Sequence, residues 1–180
     1  VNITSFAQGE ASELDILNPA GNGIDAVGNF RVSGNVIVDS TGGDTGSGFA
    51  ATQENKDSSL FVENKAELRA FGRSGGIMNV KNLVAGSGAR IIANGNNTAG
   101  VAIEVKGEIY AHSCALVKGE NAKIGIKAGS IITVDGSQTY GAFESITDET
   151  KTRVVGLGSD IGIELSKEIY SGSGSVVIAK

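Results

Sequence analysis

The stretch Ile103-Glu104-Val105-Lys106-Gly107-Glu108-Ile109-Tyr110-Ala111-His112-Ser113 returns without a gap as Ile163-Glu164-Leu165-Ser166-Lys167-Glu168-Ile169-Tyr170-Ser171-Gly172-Ser173. A third copy starts at Ile77-Met78-Asn79-Val80 and runs through Leu83-Val84-Ala85-Gly86-Ser87-Gly88, and its tail matches Gly172-Ser173-Gly174-Ser175-Val176-Val177-Ile178-Ala179. Self-similarity at this scale is the mark of a repeat architecture, in which one unit cannot cover its own apolar face and must stack on the next.

Within a unit the apolar residues alternate with period two over short runs: Val101, Ile103 and Val105, then Ile109 and Ala111, then Cys114 and Leu116. The next interval carries Ile124 and Ile126, then Ile131 or Ile132 with Val134. Gly/Asn/Ser/Asp clusters separate the runs, as expected of short strands joined by tight corners. A glycine followed by an apolar residue punctuates the chain at Gly23-Ile24, Gly48-Phe49, Gly76-Ile77, Gly100-Val101, Gly125-Ile126, Gly141-Ala142 and Gly162-Ile163. These observations predict an all-β chain folded as a single-stranded parallel β-helix, a β-solenoid of roughly seven or eight coils at about 20–25 residues each. Residues 1–20 read as a first coil or cap and residues 21–180 as one continuous helix of coils. The unclosed strand pattern at Val176-Val177-Ile178-Ala179 suggests a fragment of something longer.

Composition agrees. Among 180 residues there are 27 Gly but 1 Pro, no Trp and few aromatics, as tight corners and thin stacked strands require. The formal net charge of −5 opposes a phosphate backbone, so nucleic acid is not an expected partner. No apolar run is long enough to cross a membrane as a helix, and membrane insertion by this segment is not expected. The single cysteine, Cys114, cannot close an internal disulfide and reads as a small core residue.

Two stretches between the runs read as exposed loops. Residues 39–48 are rich in turn formers and carry Asp39 and Asp44, while residues 53–59 carry Glu54, Lys56 and Asp57. A third protrusion, residues 147–152, carries Asp148, Glu149 and Lys151. Where the repeat is broken, these eight residues are the candidate interaction positions. Residues 63–70 are read as strand, corner and strand, with Leu60 and Val62, then Ala66, Leu68 and Ala70 facing inward around Glu63-Asn64-Lys65.

Conventional chemistry finds little support. His112 is the one histidine, its place in the repeat is taken by Gly172, and no Cys/His cluster surrounds it, so it reads as an exposed corner residue and zinc is not expected. Glu104 and Glu164 share a repeat position, as do Glu108 and Glu168; in Ile103-Glu104-Val105 the acid lies between two inward residues and therefore points to solvent. Tyr110 and Tyr170 point outward by the same rule and form part of an exposed ladder. No calcium-loop or phosphate-loop spacing is present, and no cofactor and no catalytic group is assigned.

The strings Gly86-Ser87-Gly88-Ala89-Arg90-Ile91-Ile92-Ala93-Asn94-Gly95 and Val117-Lys118-Gly119-Glu120-Asn121-Ala122-Lys123-Ile124-Gly125-Ile126 resemble the passenger regions of Gram-negative autotransporters and related adhesins. That resemblance implies a right-handed β-helix, export to the cell surface or medium, and a structural or adhesive role. The implied partners are a component of a host or neighbouring cell surface, or another copy through the solenoid ends. Two other functions fit the same scaffold: a carbohydrate-active enzyme or phage tailspike-like domain, and a subunit of a self-assembling extracellular filament.

Overall fold

The structure is a computed structural model that describes residues 1–6, 9–52, 58–134 and 151–180. The described residues contain strands and no helix, and the chain is a parallel β-solenoid. Its coils have three sides. The first coil is β1 (Asn2–Ser5), β2 (Ser12–Asn18) and β3 (Ile24–Ala26), and the second β4 (Phe30–Gly34), β5 (Val36–Gly42) and β6 (Ser47–Ala51). The third is β7 (Leu60–Glu63), β8 (Glu67–Phe71) and β9 (Gly75–Val80). In the next three coils the second and third sides merge into one long bent strand: β10 (Leu83–Ala85) with β11 (Arg90–Val105), β12 (Glu108–Ala111) with β13 (Leu116–Ala128), and β14 (Ser130–Thr133) with β15 (Arg153–Leu165). β16 (Ile169–Ser171) and β17 (Val176–Ala179) begin a seventh turn.

Six turns are therefore complete, against the seven or eight expected. Coil lengths are unequal: the ladder on the first side pairs Phe30 with Leu60, Leu60 with Leu83, Leu83 with Ile109, Ile109 with Ile131 and Ile131 with Ile169. The glycine–apolar pairs do recur once per coil on the third side, where Ile24, Phe49, Ile77, Ile103, Ile126 and Ile163 form one ladder; the further pair, Gly141-Ala142, lies outside the described residues.

The same ladder explains the sequence repeat. Tyr110 stacks on Ile132 and Ile132 on Tyr170, so the copies at 103–113 and 163–173 occupy one position two coils apart. The tail beginning at Gly86 meets its copy at Gly172 three coils further on, since Ala85, Ala111, Thr133 and Ser171 form one ladder.

Inward residues make continuous columns. Leu60, Leu83, Ile109 and Ile131 line the first side; Val38, Leu68, Ile91, Val117 and Val154 the second; Phe49, Ile77, Ile103 and Ile126 the third; all are essentially inaccessible. Phe30 and Phe49 meet edge to face, with ring centroids 5.3 Å apart. The inward reading of Leu60, Val62, Ala66, Leu68 and Ala70 holds, and all five are buried. Of the two alternatives in the next coil, Ile131 faces the core and Ile132 does not.

The corner between the first and second sides is a repeated device. Glu63, Gly86, His112 and Gly172 each accept a hydrogen bond from the N–H three residues on, donated by Ala66, Ala89, Ala115 and Ser175. The residue before each donor is left-handed: Lys65, Gly88, Cys114 and Gly174 have φ of 67°, 69°, 62° and 72°. Cys114 thus fills a turn position that glycine holds in two other coils, and it is half-buried rather than a core residue. Ala115 and Val117 take the inward places instead, which shifts the parity expected from Cys114 and Leu116 by one. His112 does stand at a corner, but half-buried.

Candidate functional site

Residues 39–48 are not one loop. Asp39 lies within β5, paired in register with Asp15 and Arg69 on neighbouring coils, and only residues 43–46 form the corner to β6. Turn formers are tolerated in these strands because backbone crowds them from within the coil and from the next one. A Cβ on Gly42 would sit 2.2 Å from the Ser47 carbonyl oxygen of the same coil, and one on Gly48 would sit 2.4 Å from the Phe71 nitrogen of the following coil.

Asp39 belongs to a charge ladder on the outer face of the second side. Arg69 donates to Glu67 through Nε at 2.7 Å and lies 3.5 Å from Asp39, and Arg90 Nε stands 3.5 Å from Glu67. One Asp39 oxygen, Oδ1, is buried with no hydrogen-bond partner among the described residues. Burial pushes the Asp39 carboxyl above the usual carboxylate range, helped by Asp15, Glu67 and Glu13, with Arg69 opposing. A carboxyl whose folded pKa is raised favours the folded state when protonated. The cost of ionising it is thus fully present above that raised pKa and disappears as pH falls below the unfolded value. Asp39→Asn is therefore expected to raise stability at pH 7 by roughly 0.5 kcal/mol, the gain fading on acidification. Thermal melts of both proteins from pH 7 down to pH 3 would check this, and a gain that grew toward low pH would refute it.

Asp44 is different. It stands on the corner between second and third sides, where it pairs with Arg73 at 3.1 Å across one coil. Around them a groove of about 720 Å³ runs across successive coils. Its floor is one outward row of the second side, in which Thr41 stacks on Phe71 and Phe71 on Asn94; the row goes on to Glu120 in the next coil, beyond the groove. Asn96, Asn97 and Asn121 rise at its edge, at left-handed corner positions with φ of 52°, 57° and 55°. Asparagine is favoured there because it tolerates that backbone region better than other side chains with a Cβ. A second hollow of about 390 Å³ shares Asn97 and Asn121 and continues past Glu120 to Ser159.

The groove is polar but nearly neutral. Asp44 is offset by Arg73 and Glu120 by Lys118, at 2.6 Å. Asn94 Oδ1 accepts the Asn96 N–H at 2.8 Å, while the amides of Asn97 and Asn121 make no hydrogen bond among the described residues and are exposed. The arrangement offers planar amide donors and acceptors, a hydroxyl and one aromatic ring in a line, which suits recognition of an uncharged, hydroxyl-bearing chain.

Of the eight candidate positions, then, the structure places Asp44 on the groove and Asp39 away from it on the charge ladder. Lys151 is half-buried, next to Thr152. Glu54, Lys56, Asp57, Asp148 and Glu149 lie outside the described residues. The outward reading of Glu104 and Glu164 holds in register, with Lys127 between them and 3.1 Å from Glu164. No group of three or more potential metal ligands occurs among the described residues.

Sequence reasoning missed Phe71, Asn94, Asn97 and Asn121. The available signal was Asn94-Gly95-Asn96-Asn97 followed one coil later by Glu120-Asn121, which read only as corner composition. It also missed Thr152, whose buried hydroxyl accepts from the Cys114 N–H and lies within hydrogen-bonding distance of the His112 and Val134 carbonyls, joining the corners of two successive coils. No family model, no curated protein and no solved structure matches the chain.

Proposed function

We propose that this chain is a structural and adhesive segment of a bacterial surface or secreted protein, a rod that presents its corner groove to a carbohydrate component of a host or neighbouring cell. The observation that carries this reading is the Thr41, Phe71, Asn94 row flanked by the uncommitted amides of Asn97 and Asn121. Stacked coils repeat about every 4.8 Å, so a row of this kind meets a polymeric ligand along its length, and many weak contacts add up. The ring of Phe71 supplies an apolar surface for a sugar face, and the amides supply hydrogen bonds to hydroxyls. The acid on the groove, Asp44, is already paired with Arg73, which suits binding better than proton transfer. An extracellular setting is supported by the resemblance of the repeats to autotransporter passengers and by the scarcity of cysteine.

The test is a screen of neutral oligosaccharides followed by titration calorimetry on the best binder. Phe71→Ala and Asn121→Gly are each expected to weaken binding about tenfold, the loss of one stacking or hydrogen-bonding group in a groove. Glycine at 121 keeps the left-handed corner while removing the amide, so the melting temperature should stay near that of the parent. Binding that survives both changes would refute the groove as the adhesive surface.

A further inference from the structure

The outer face of the first side differs from the other two. The second side carries Asp15, Asp39 and Arg69 in one row, and the third carries Glu104, Lys127 and Glu164. On the first side the strands are short, and one outward row runs along its whole face in register: Arg31, Phe61, Val84, Tyr110, Ile132 and Tyr170. Acids stand beside this row: Glu63 pairs with Arg31, and Glu108 accepts the Tyr110 hydroxyl. Five successive coils place an apolar or aromatic side chain there. At about 4.8 Å per coil the row is roughly 24 Å long. Tyr170 is 54% exposed, and Phe61, Val84, Tyr110 and Ile132 are half-buried.

The two ends of the row differ in charge. Arg31 lies over the Phe61 ring, its guanidinium carbon 4.9 Å from the centroid, and pairs with Glu63 while still 44% exposed. At the other end Tyr170 donates its hydroxyl to Glu168, which is exposed. We infer that this face is an interface between two copies of the chain, which pack their rows antiparallel about a twofold axis between Val84 and Tyr110. In that alignment Val84 of each copy meets Tyr110 of the other, Phe61 meets Ile132, and Arg31 meets Tyr170 and Glu168. Parallel packing would instead oppose Arg31 to Arg31 and Glu168 to Glu168. An antiparallel arrangement is the one that makes the row self-complementary, and it closes at two copies. A narrow strip buries area at the low end for specific interfaces, so the dimer should be weak, with a Kd on the order of 10–100 μM.

Sedimentation equilibrium over a wide concentration range at low salt should show closed dimers. Arg31→Glu is expected to raise the Kd at least about tenfold, and Arg31→Glu combined with Glu168→Arg should bring it back to within about threefold of the parent. Both sites are exposed, and an unchanged circular dichroism spectrum would establish folding. Independently, in a Cys114→Ser background, Val84→Cys alone, one coil from its own copy across the twofold axis, should give covalent dimers with a short bismaleimide, whereas Phe61→Cys alone, three coils from its own copy, should not. A monomer at every concentration would overturn the inference. So would a dimer indifferent to Arg31→Glu, or a charge swap that restores nothing. Open-ended polymers would also overturn it, since they are the signature of end-to-end stacking through the last coil, where Ile169 is 47% exposed.

Discussion

Gly48→Ala should cost roughly 3 kcal/mol or more, although it adds one methyl group. The added carbon would lie 2.4 Å from the Phe71 nitrogen and 2.6 Å from the Ala70 carbonyl carbon, both backbone atoms of the next coil. Backbone in a stacked ladder cannot step aside without breaking its own hydrogen bonds, so the coils on both sides must part. Gly100→Ala is the control, because a Cβ there meets no atom within 4 Å. Denaturation midpoints of the two variants should differ widely, with Gly100→Ala close to the parent. Equal midpoints would mean that the coils are not in contact at Gly48.

The second large effect separates neighbours in sequence. Ile131→Ala should lose about 3 kcal/mol, as expected when a fully buried branched side chain is cut back and leaves a cavity, while Ile132→Ala should lose less than about 1 kcal/mol. Ile131 continues the inward column of Leu60, Leu83 and Ile109 and is inaccessible, whereas Ile132 points outward beside Tyr110 and Tyr170. Urea unfolding of the two variants checks this. Similar losses would show that the first side has slipped by one residue, which would turn every side chain of that strand over.

The period-two pattern was legible wherever a strand stood alone between two polar corners. Leu60, Val62, Ala66, Leu68 and Ala70 could be placed inward from the sequence because Glu63-Asn64-Lys65 marks the corner plainly. At Cys114 the same logic slipped by one residue. A left-handed turn residue has no apolar signature of its own, and a cysteine in that place resembles the start of a strand. Residues 39–48 misled for a related reason. Their glycines answer to the close approach of backbone from within the coil and from other coils, whereas in a single sequence they read as local turn chemistry.

The candidate site was less legible. Asp44 was singled out, yet Phe71, Asn94 and Asn121 come from three different coils, and only register brings them into one groove. The outward row of Arg31, Phe61, Val84, Tyr110, Ile132 and Tyr170 was glimpsed through its two tyrosines alone. Its other members occur at unequal intervals, because the coils differ in length and no constant spacing relates them.

By itself the sequence determined that this chain stacks. Its repeats, its alternating aliphatic residues and its glycine-rich corners leave each coil with an apolar interior that only another coil can cover. The tertiary structure decided which residues lie side by side. Neighbours on the surface of a solenoid are one coil apart in the chain, and that distance is set by hydrogen-bond register between coils and by the lengths of their corners. The groove and the apolar row exist only in that second ordering.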